Sequence, residues 1–352
     1  MQNPLYRQQL QKAAGAVPDW AALEGRTVML SGATGMIGSF LVDLLMYQNA
    51  QRQLSCRIWA LGRSLEKAKA RFGSYWDDPL FRFVPCDINE PLTLNAGAVD
   101  YILHAASNTH PVVYATDPIG TVTTNIIGTR NLLEYAAKHS ARRFVFVSTV
   151  EVYGENRGDT EAFAEDYCGY IDCNTLRAGY PESKRAGEAL CQAYIRQKGL
   201  DVVIPRLSRV YGPTMLMSDT KALSQFIKNS LAGENIVLKS AGTQFFSYSY
   251  VADAVTGILC CLLKGGCGQA YNIADPASDI ALKDLAQLIA EQAGTQVIFQ
   301  IPDAVEQAGY SKATKAVLNN SKLQALGWKP MWDIREGVQS TIAILQGRES
   351  VL

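Results

Sequence analysis

The chain has 352 residues, 48% hydrophobic and 19% charged, enough to bury one large core or two unequal domains. Lysine plus arginine and aspartate plus glutamate balance at 33 each, so no global electrostatic field is available to attract nucleic acid or an anionic membrane. We therefore expect no nucleic-acid or membrane partner, and any anionic ligand must be bound by local groups.

Neither a targeting segment nor a metal or disulfide framework is predicted. The N-terminus has no basic region followed by a long apolar run, so we expect a cytoplasmic protein without a signal peptide or membrane span. The most apolar segment, 258–263, is too short to cross a bilayer. The eight cysteines form no CxxC pair and match no histidine spacing, so we interpret them as reduced thiols and expect no metal.

The first half of the chain alternates between apolar strands and helical stretches. After a possible helix near 4–14, an apolar strand at 26–30 runs into a glycine-rich turn at 31–38, and 40–46 follow with helical spacing. Further strands, most of them separated by amphipathic helices such as 125–138, are predicted at 57–61, 82–86, 101–104, 144–147 and 202–205. This alternation predicts an α/β fold with a doubly wound, parallel Rossmann sheet.

The regular alternation loosens after about Arg206, where a helix at 221–232 and strands at 236–238 and 271–274 are predicted. These elements are too few for a second sheet of equal size. We therefore expect two interleaved parts. Residues 1–205 would form the dinucleotide-binding Rossmann domain, with strands returning near 236–275, and residues 206–352 would form mainly a smaller C-terminal substrate-binding lobe.

Gly32, Gly35 and Gly38 follow a GxxGxxG spacing directly after the first strand. The first glycine admits positive φ, the middle one lets a pyrophosphate approach backbone N–H groups, and the last lets the helix pack closely on the sheet. Three glycines can also form a tight turn that binds nothing. The flanking strand and helix favour a dinucleotide cofactor.

The end of the second strand bears on the choice between NAD and NADP. Where an acidic residue would bind the adenosine ribose, the chain has Arg63 and Ser64, with Lys67 a turn later. A guanidinium and a hydroxyl suit a 2′-phosphate, so the sequence favours NADP. In the alternative interpretation, Arg63 stacks on adenine and the acid is dispensable.

Tyr180 and Lys184 lie four residues apart at the start of a predicted helix around 182–196, so they project from one face about one turn apart. The ammonium would stabilise the phenolate, which makes Tyr180 a candidate proton acceptor near neutral pH. The alternative is a surface tyrosine beside a solvated lysine. Downstream of a dinucleotide turn, the pair predicts a redox site where a nicotinamide exchanges hydride with a carbinol carbon.

The segment 148–154 follows the strand at 144–147 and so emerges at the carboxyl edge of the sheet, where ligands of open α/β sheets bind. Thr149 can hydrogen-bond a substrate hydroxyl as Tyr180 takes its proton, and Glu151 could abstract a carbon-bound proton. Threonine and glutamate are also common turn residues. Only the nearby prediction of Tyr180 as a proton acceptor makes Thr149 and Glu151 candidates for catalysis.

These residues together resemble the extended short-chain dehydrogenase/reductases that act on nucleotide-diphosphate sugars. The resemblance runs from about Thr27 to Gly337. Its markers are the glycine turn, Asp87-Ile88, 104–107, 125–131, 148–154, Tyr180 with Lys184, 206–213, 250–253, 271–274 and 326–330. They are specific for the family and much less specific for the reaction.

The resemblance implies a nucleotide-sugar substrate, a homodimer through the helices at 125–138 and 182–196, and a triad of Thr149, Tyr180 and Lys184. The implied cofactor residues are Gly32, Gly35, Met36, Ile37, Gly38, Arg63, Ser64, Asp87, Ile88, Ala105, Ala106, Ser107, Asn125, Ser148, Tyr180 and Lys184. Among these, Asp87 and Ile88 would flank the adenine, and 105–107 would line the nicotinamide-side ribose.

Within the family, the chain is most similar to UDP-glucuronate decarboxylases and next to dTDP-glucose 4,6-dehydratases. The resemblance implies that a dehydratase uses an aspartate at position 150 to protonate the departing C6 hydroxyl, and this chain has Val150. Decarboxylation needs no such acid, because oxidation at C4 gives a β-keto acid. The expected reaction is therefore decarboxylation or epimerisation, with dehydration third.

Two departures from the family pattern concern the nucleotide pocket. Phe246 stands where an arginine usually meets the phosphates, and Arg209 stands where an asparagine is usual, so Arg209 could restore the positive charge. Arg177 is the second expected substrate-binding residue.

Two further alternatives remain for the function: an NADPH-dependent reductase that releases its cofactor each cycle, and a cofactor-sensing binding protein without catalysis.

Overall fold

The computed structural model of the protein describes residues 3–94, 99–109, 111–300 and 314–349, so part of the expected C-terminal lobe lies outside the described residues. The strands are β1 (Thr27–Ser31), β2 (Arg57–Gly62), β3 (Phe81–Pro85), β4 (Tyr101–His104), β5 (Arg143–Phe146), β6 (Ser148–Thr149), β7 (Val202–Leu207), β8 (Arg209–Tyr211), β9 (Ile236–Leu238), β10 (Phe245–Tyr250), β11 (Ala270–Ile273), β12 (Asp279–Ala281), β13 (Val297–Phe299) and β14 (Lys315–Ala316).

The α-helices are α1 (Pro4–Ala16), α2 (Met36–Arg52), α3 (Leu65–Phe72), α4 (Pro111–Thr116), α5 (Pro118–Thr123), α6 (Thr129–Lys138), α7 (Gly179–Lys198), α8 (Ala222–Ala232), α9 (Val251–Lys264), α10 (Leu282–Ala293), α11 (Ser321–Gln324) and α12 (Ile334–Leu345). A π-helical turn, Thr124–Gly128, joins α5 to α6. None of the helices in the described ranges is long and apolar enough to cross a membrane.

The large sheet is parallel and is covered on both faces. Its strands lie in the order β11-β7-β5-β4-β1-β2-β3, all neighbours are parallel, and β6 also pairs with β7. Along β1, Val28 and Leu30 enter a core with residues of α2 and α9, whereas Met29 enters a second core with residues of α6 and α7. Burial on both faces explains the continuous apolar strands, and the predicted fold class is confirmed.

A smaller set of strands forms from the second half of the chain. β10 pairs with β12, β14 and β8, and it brings Tyr248 opposite Arg209. Of the strands in the stretch 236–275, β11 joins the edge of the large sheet, whereas β9 and β10 do not. β9 pairs instead with β13, because its alternating pattern, with Val237 exposed between two buried residues, suits a sheet that is buried on one face only.

Candidate active site

The glycine turn is sterically closed to larger residues. Gly32 has a φ of +74°, and a Cβ atom there would lie 2.7 Å from the backbone carbon of Ala105. A Cβ at Gly38 would lie 2.7 Å from the Ala33 Cα and overlap the carbonyl oxygen of Gly32. Gly35 is the N-cap of α2 and provides no side-chain cap, so the first N–H groups of the helix are free to bind an anion. These features fit a dinucleotide pyrophosphate, with Met36 and Ile37 in the first turn.

The residues expected around the adenosine lie at the ends of β2 and β3. Arg63 is exposed, and the Ser64 hydroxyl caps α3 by accepting a hydrogen bond from the Lys67 N–H at 3.2 Å. Asp87 is exposed, whereas Ile88 is buried against Gly128 of the π-helical turn. The Ser64 oxygen is thus engaged locally, and Arg63 is the freer of the two groups predicted for a 2′-phosphate.

The loop after β4 is linked to α7 through Asn125. The half-buried residues Ala105, Ala106 and Ser107 follow β4, and the Ser107 hydroxyl donates to the Asn125 side chain at 2.8 Å. The Asn125 amide in turn donates to Ser183 at 2.9 Å. Because Asn125 is fully buried, its part is to tie the loop to the helix that carries Tyr180.

His104 forms a second buried connection, although in the sequence it stands out only as part of a family marker. Its ring nitrogens lie 2.7 Å from the Ser31 hydroxyl and 3.0 Å from the Thr129 hydroxyl. Burial, together with the charge of Lys184, holds the pKa of His104 well below its usual range, so the imidazole is neutral at pH 7. It joins β1, β4 and α6 directly beneath the glycine turn.

Tyr180 and Thr149 meet at the carboxyl edge of the sheet. Tyr180 lies in the first turn of α7 and is only 7% exposed, and its hydroxyl is hydrogen-bonded to the Thr149 side chain at the end of β6. Burial and then the charge of Glu151 raise the pKa of Tyr180, while the Thr149 hydrogen bond and the Arg177 charge oppose that rise.

Lys184 lies one turn further along α7 than Tyr180 and is buried. Its ammonium donates to the Val147 carbonyl at 2.9 Å and lies 4.8 Å from the Phe146 ring centroid. Burial lowers the pKa of Lys184 to about 8, although Glu188 opposes that shift. The groups that lower the pKa of Tyr180 here are Thr149 and Arg177, and an effect of Lys184 on it stays a prediction.

A stack of side chains covers Tyr180. The Tyr114 ring stacks on it with centroids 5.0 Å apart, and the Arg177 guanidinium carbon lies 5.0 Å from the centroid of Tyr114. Arg177 donates to both carboxylate oxygens of Glu151 at 2.7 Å. Tyr114 was missed in the sequence analysis, because nothing in its local sequence indicates that α4 folds over α7.

Arg209 projects from β8 onto Phe246 of β10, with its guanidinium carbon 3.4 Å from the ring centroid. Burial lowers the pKa of Arg209, and its Nη1 atom is buried without a hydrogen-bond partner among the described residues. An unpaired, buried guanidinium nitrogen is costly, so an anion at this position would be stabilising.

Comparison with known proteins identifies the family. The family model described as "NAD dependent epimerase/dehydratase family" matches residues 28–274. The chain belongs to this family. UDP-glucuronic acid decarboxylase 3 of Arabidopsis thaliana is 33% identical over 315 residues, which cover 88% of this chain and 86% of the relative. UDP-glucuronic acid decarboxylase 1 of Xenopus tropicalis is 30% identical, with 90% and 71% covered.

Solved structures agree with the assignment to the epimerase/dehydratase family. DesIV, a dTDP-glucose 4,6-dehydratase from Streptomyces venezuelae solved with NAD bound, has a TM-score of 0.78 at 26% identity, covering 90% of this chain and 95% of that one. UDP-glucuronic acid 4-epimerase from Bacillus cereus has a TM-score of 0.74 at 23% identity, covering 91% of this chain and 98% of that one. At this identity the match shows a similar fold. The predicted family is confirmed, and with it the prediction of an enzyme that uses a nicotinamide dinucleotide.

One predicted cofactor residue of this family member, Ser148, uses its side chain for a contact within the protein. The Ser148 side chain is buried and its hydroxyl donates to Glu188 at 2.6 Å, so it links β6 to α7. Nothing in the sequence around Glu188 singled it out. Its contacts join β6, β7 and α7, which are separated in the sequence by tens of residues.

Proposed function

We propose that this member of the epimerase/dehydratase family decarboxylates a UDP-linked uronic acid, as its relatives' names state for UDP-glucuronic acid. The observation that carries the proposal is Val150, which is buried and directly follows Thr149. A valine has no proton to give to a departing C6 hydroxyl, so dehydration lacks its acid here. Loss of a carboxylate from a β-keto acid needs no such donor.

The reaction uses the proton-transfer groups around Tyr180. Tyr180 accepts the C4 hydroxyl proton, and Thr149 hydrogen-bonds the same oxygen. A bound nicotinamide dinucleotide supplies the acceptor for the C4 hydride and its later donor. The C5–C6 bond then breaks, its electron pair moves toward the C4 oxygen, and carbon dioxide leaves. Glu151, once released from Arg177, takes up a proton from solvent and passes it to C5, and Tyr180 returns its proton to the C4 oxygen.

Substrate anions are assigned to two arginines. Arg209 would bind a phosphate of the substrate, because its buried Nη1 lacks a partner among the described residues and Phe246 holds the guanidinium plane. Arg177, paired with Glu151 above Tyr114, would contact the sugar end. Exchange of Glu151 for a substrate carboxylate at Arg177 would leave Glu151 free to act on C5.

The experiment is a substrate panel. Purified protein with NAD or NADP is incubated with UDP-glucuronate, UDP-glucose, dTDP-glucose and their GDP- and CDP-linked counterparts, and the products are analysed by mass spectrometry. Decarboxylation removes the mass of carbon dioxide, epimerisation leaves the mass unchanged with a new retention time, and dehydration removes the mass of water. In a parallel incubation with NADPH, net consumption of the reduced nicotinamide would instead identify a reductase. Cofactor binding without turnover of any sugar, with partner binding retained in Tyr180→Phe, would support a sensor and refute the proposal.

The preference for NADP over NAD remains a prediction from Arg63 and Ser64. The exposed Arg63 supports it, while the bound NAD in the DesIV structure describes that relative alone. Calorimetric titration of both dinucleotides into wild type and Arg63→Ala tests the point. A specific loss of NADP affinity in Arg63→Ala supports the preference, and an equal effect on both cofactors contradicts it.

The homodimer through the helices at 125–138 and 182–196 stays a prediction, and we propose that its interface also includes α5 and the turn before α7. Ile119 is 77% exposed and Leu176 is 60% exposed on this face, which also includes Val122 and Ala186. Light scattering after gel filtration of Ile119→Glu tests it, with Ile298→Glu, on the exposed face of β13, as the matched control. A dimer in both variants would contradict this interface.

A cytoplasmic location also remains a prediction from the sequence.

A further inference from the structure

A largely shielded ion pair joins β7 to α7, the helix that carries Tyr180 and Lys184. Arg206 of β7 donates to Glu188 of α7 twice, from Nε at 3.0 Å and from Nη2 at 2.6 Å. The two side chains are 13% and 14% exposed. Such a two-point contact fixes the orientation of both groups.

The same carboxylate reaches the strand that carries Thr149. Ser148 donates its hydroxyl proton to Glu188 Oε1 at 2.6 Å, and the Ser148 backbone pairs with Arg206 in the β6–β7 ladder. Arg206 is anchored in turn, since its Nη1 donates to the Tyr153 hydroxyl at 3.0 Å and to the Glu165 carbonyl at 2.7 Å. Glu188 therefore bridges α7 and β6 at a point adjacent to Thr149.

We infer that Glu188 is a positioning residue, which holds the strand bearing Thr149 in register with the helix bearing Tyr180 and Lys184. One turn of α7 separates Glu188 from Lys184, so the bridge and the catalytic pair share a single rigid helix. This inference rests on the proposed function only where it concerns catalysis. The bridge itself can be tested without substrate.

The charge of Glu188 also acts on Lys184. Three side chains face the Lys184 ammonium from α7 and β4: Glu188, Cys191 and His104. The ammonium also faces the ring of Phe146, at the end of β5, and the carbonyl of Val147, the next residue. Since His104 is neutral at pH 7, Glu188 is the anion among them that favours the charged lysine. Replacing Glu188 by glutamine keeps the shape of the side chain and removes this charge.

The first test is an NMR titration of protein labelled with carbon-13 at the lysine ε position, with Lys184→Arg assigning the resonance. We expect Glu188→Gln to lower the pKa of Lys184 below the wild-type value of about 8. Glu291→Gln, an exposed glutamate on α10, is the control and leaves it unchanged. An unaltered Lys184 titration in Glu188→Gln would overturn the inference, whatever the substrate proves to be.

The second test keeps the ion pair and removes only the link to the strand, which guards against a Glu188→Gln variant that does not fold. Ser148→Ala should speed hydrogen exchange of the 147–153 segment and lower kcat roughly 10- to 100-fold with KM little changed, because misplacing a catalytic group by about 1 Å costs up to that factor. Exchange and kcat equal to wild type would refute the positioning role. If wild type turns over no sugar, the proposed function fails, and the exchange and titration results still decide the inference.

Discussion

Substitution of Gly38 by alanine tests the steric closure of the glycine turn. The added Cβ would lie 2.7 Å from the Ala33 Cα and 2.8 Å from the Ala33 carbonyl oxygen. Favourable carbon–carbon contacts lie at about 3.5–4.0 Å, so the turn must open by about 1 Å. Overpacking of this kind costs about 1–3 kcal/mol of unfolding free energy. The displaced N-terminus of α2 should also bind NAD more weakly.

The assay is urea unfolding followed by circular dichroism, with and without NAD. Ligand at 100 times its Kd adds about 2.7 kcal/mol to the wild-type unfolding free energy, and Gly38→Ala should gain less. Gly15→Ala is the matched control: Gly15 lies in α1 with nothing within 4 Å of an added Cβ, so we expect stabilisation by about 0.5–1 kcal/mol. A Gly38→Ala protein with wild-type stability and an undiminished gain from NAD would refute the reasoning.

Three further predictions concern the walls of the site. Lys184→Met should remove a pH dependence of the unfolding free energy. In wild type, burial of the charged ammonium is destabilising below pH 8, and this cost is relieved as the pH rises from about 8 toward 10.5. Over that window, urea unfolding should show wild type gaining roughly 3 kcal/mol of unfolding free energy relative to the variant. A constant difference would contradict the lowered pKa. Arg209→Gln should weaken substrate binding by roughly 10- to 100-fold, the worth of a hydrogen bond to a charged group, as measured by calorimetry; unchanged affinity would remove Arg209 from the substrate site. Tyr114→Leu should cost about 0.5–1.5 kcal/mol of unfolding free energy through the lost ring stack on Tyr180, and an unaltered unfolding midpoint would show that the stack contributes nothing.

Features set by local backbone geometry could be predicted from the sequence. The glycine spacing fixes where the chain turns and where α2 packs, and the i,i+4 spacing puts Tyr180 and Lys184 on one face of α7. The parallel sheet followed from apolar strands separated by helices, because both of its faces are buried.

Features that depend on tertiary contacts could not be predicted. The sequence shows that Lys184 is near Tyr180 along a helix, but not that burial raises the pKa of the tyrosine and lowers that of the lysine. Tyr114 and Glu188 reach the site only when α4 covers α7 and when β6 lies against α7. No periodicity along the chain encodes such contacts.

The π-helical turn at 124–128 sets a constraint on engineering this protein. Each residue of a helix advances by about 100°, so deleting one residue to restore a regular winding would rotate everything after it by that angle. Asn125 would then point away from either Ser107 or Ser183, and α6 would present a different stripe to the sheet. Chimeras that exchange this part of the chain with a relative should therefore keep its residue count, with crossover points placed outside α5 and α6.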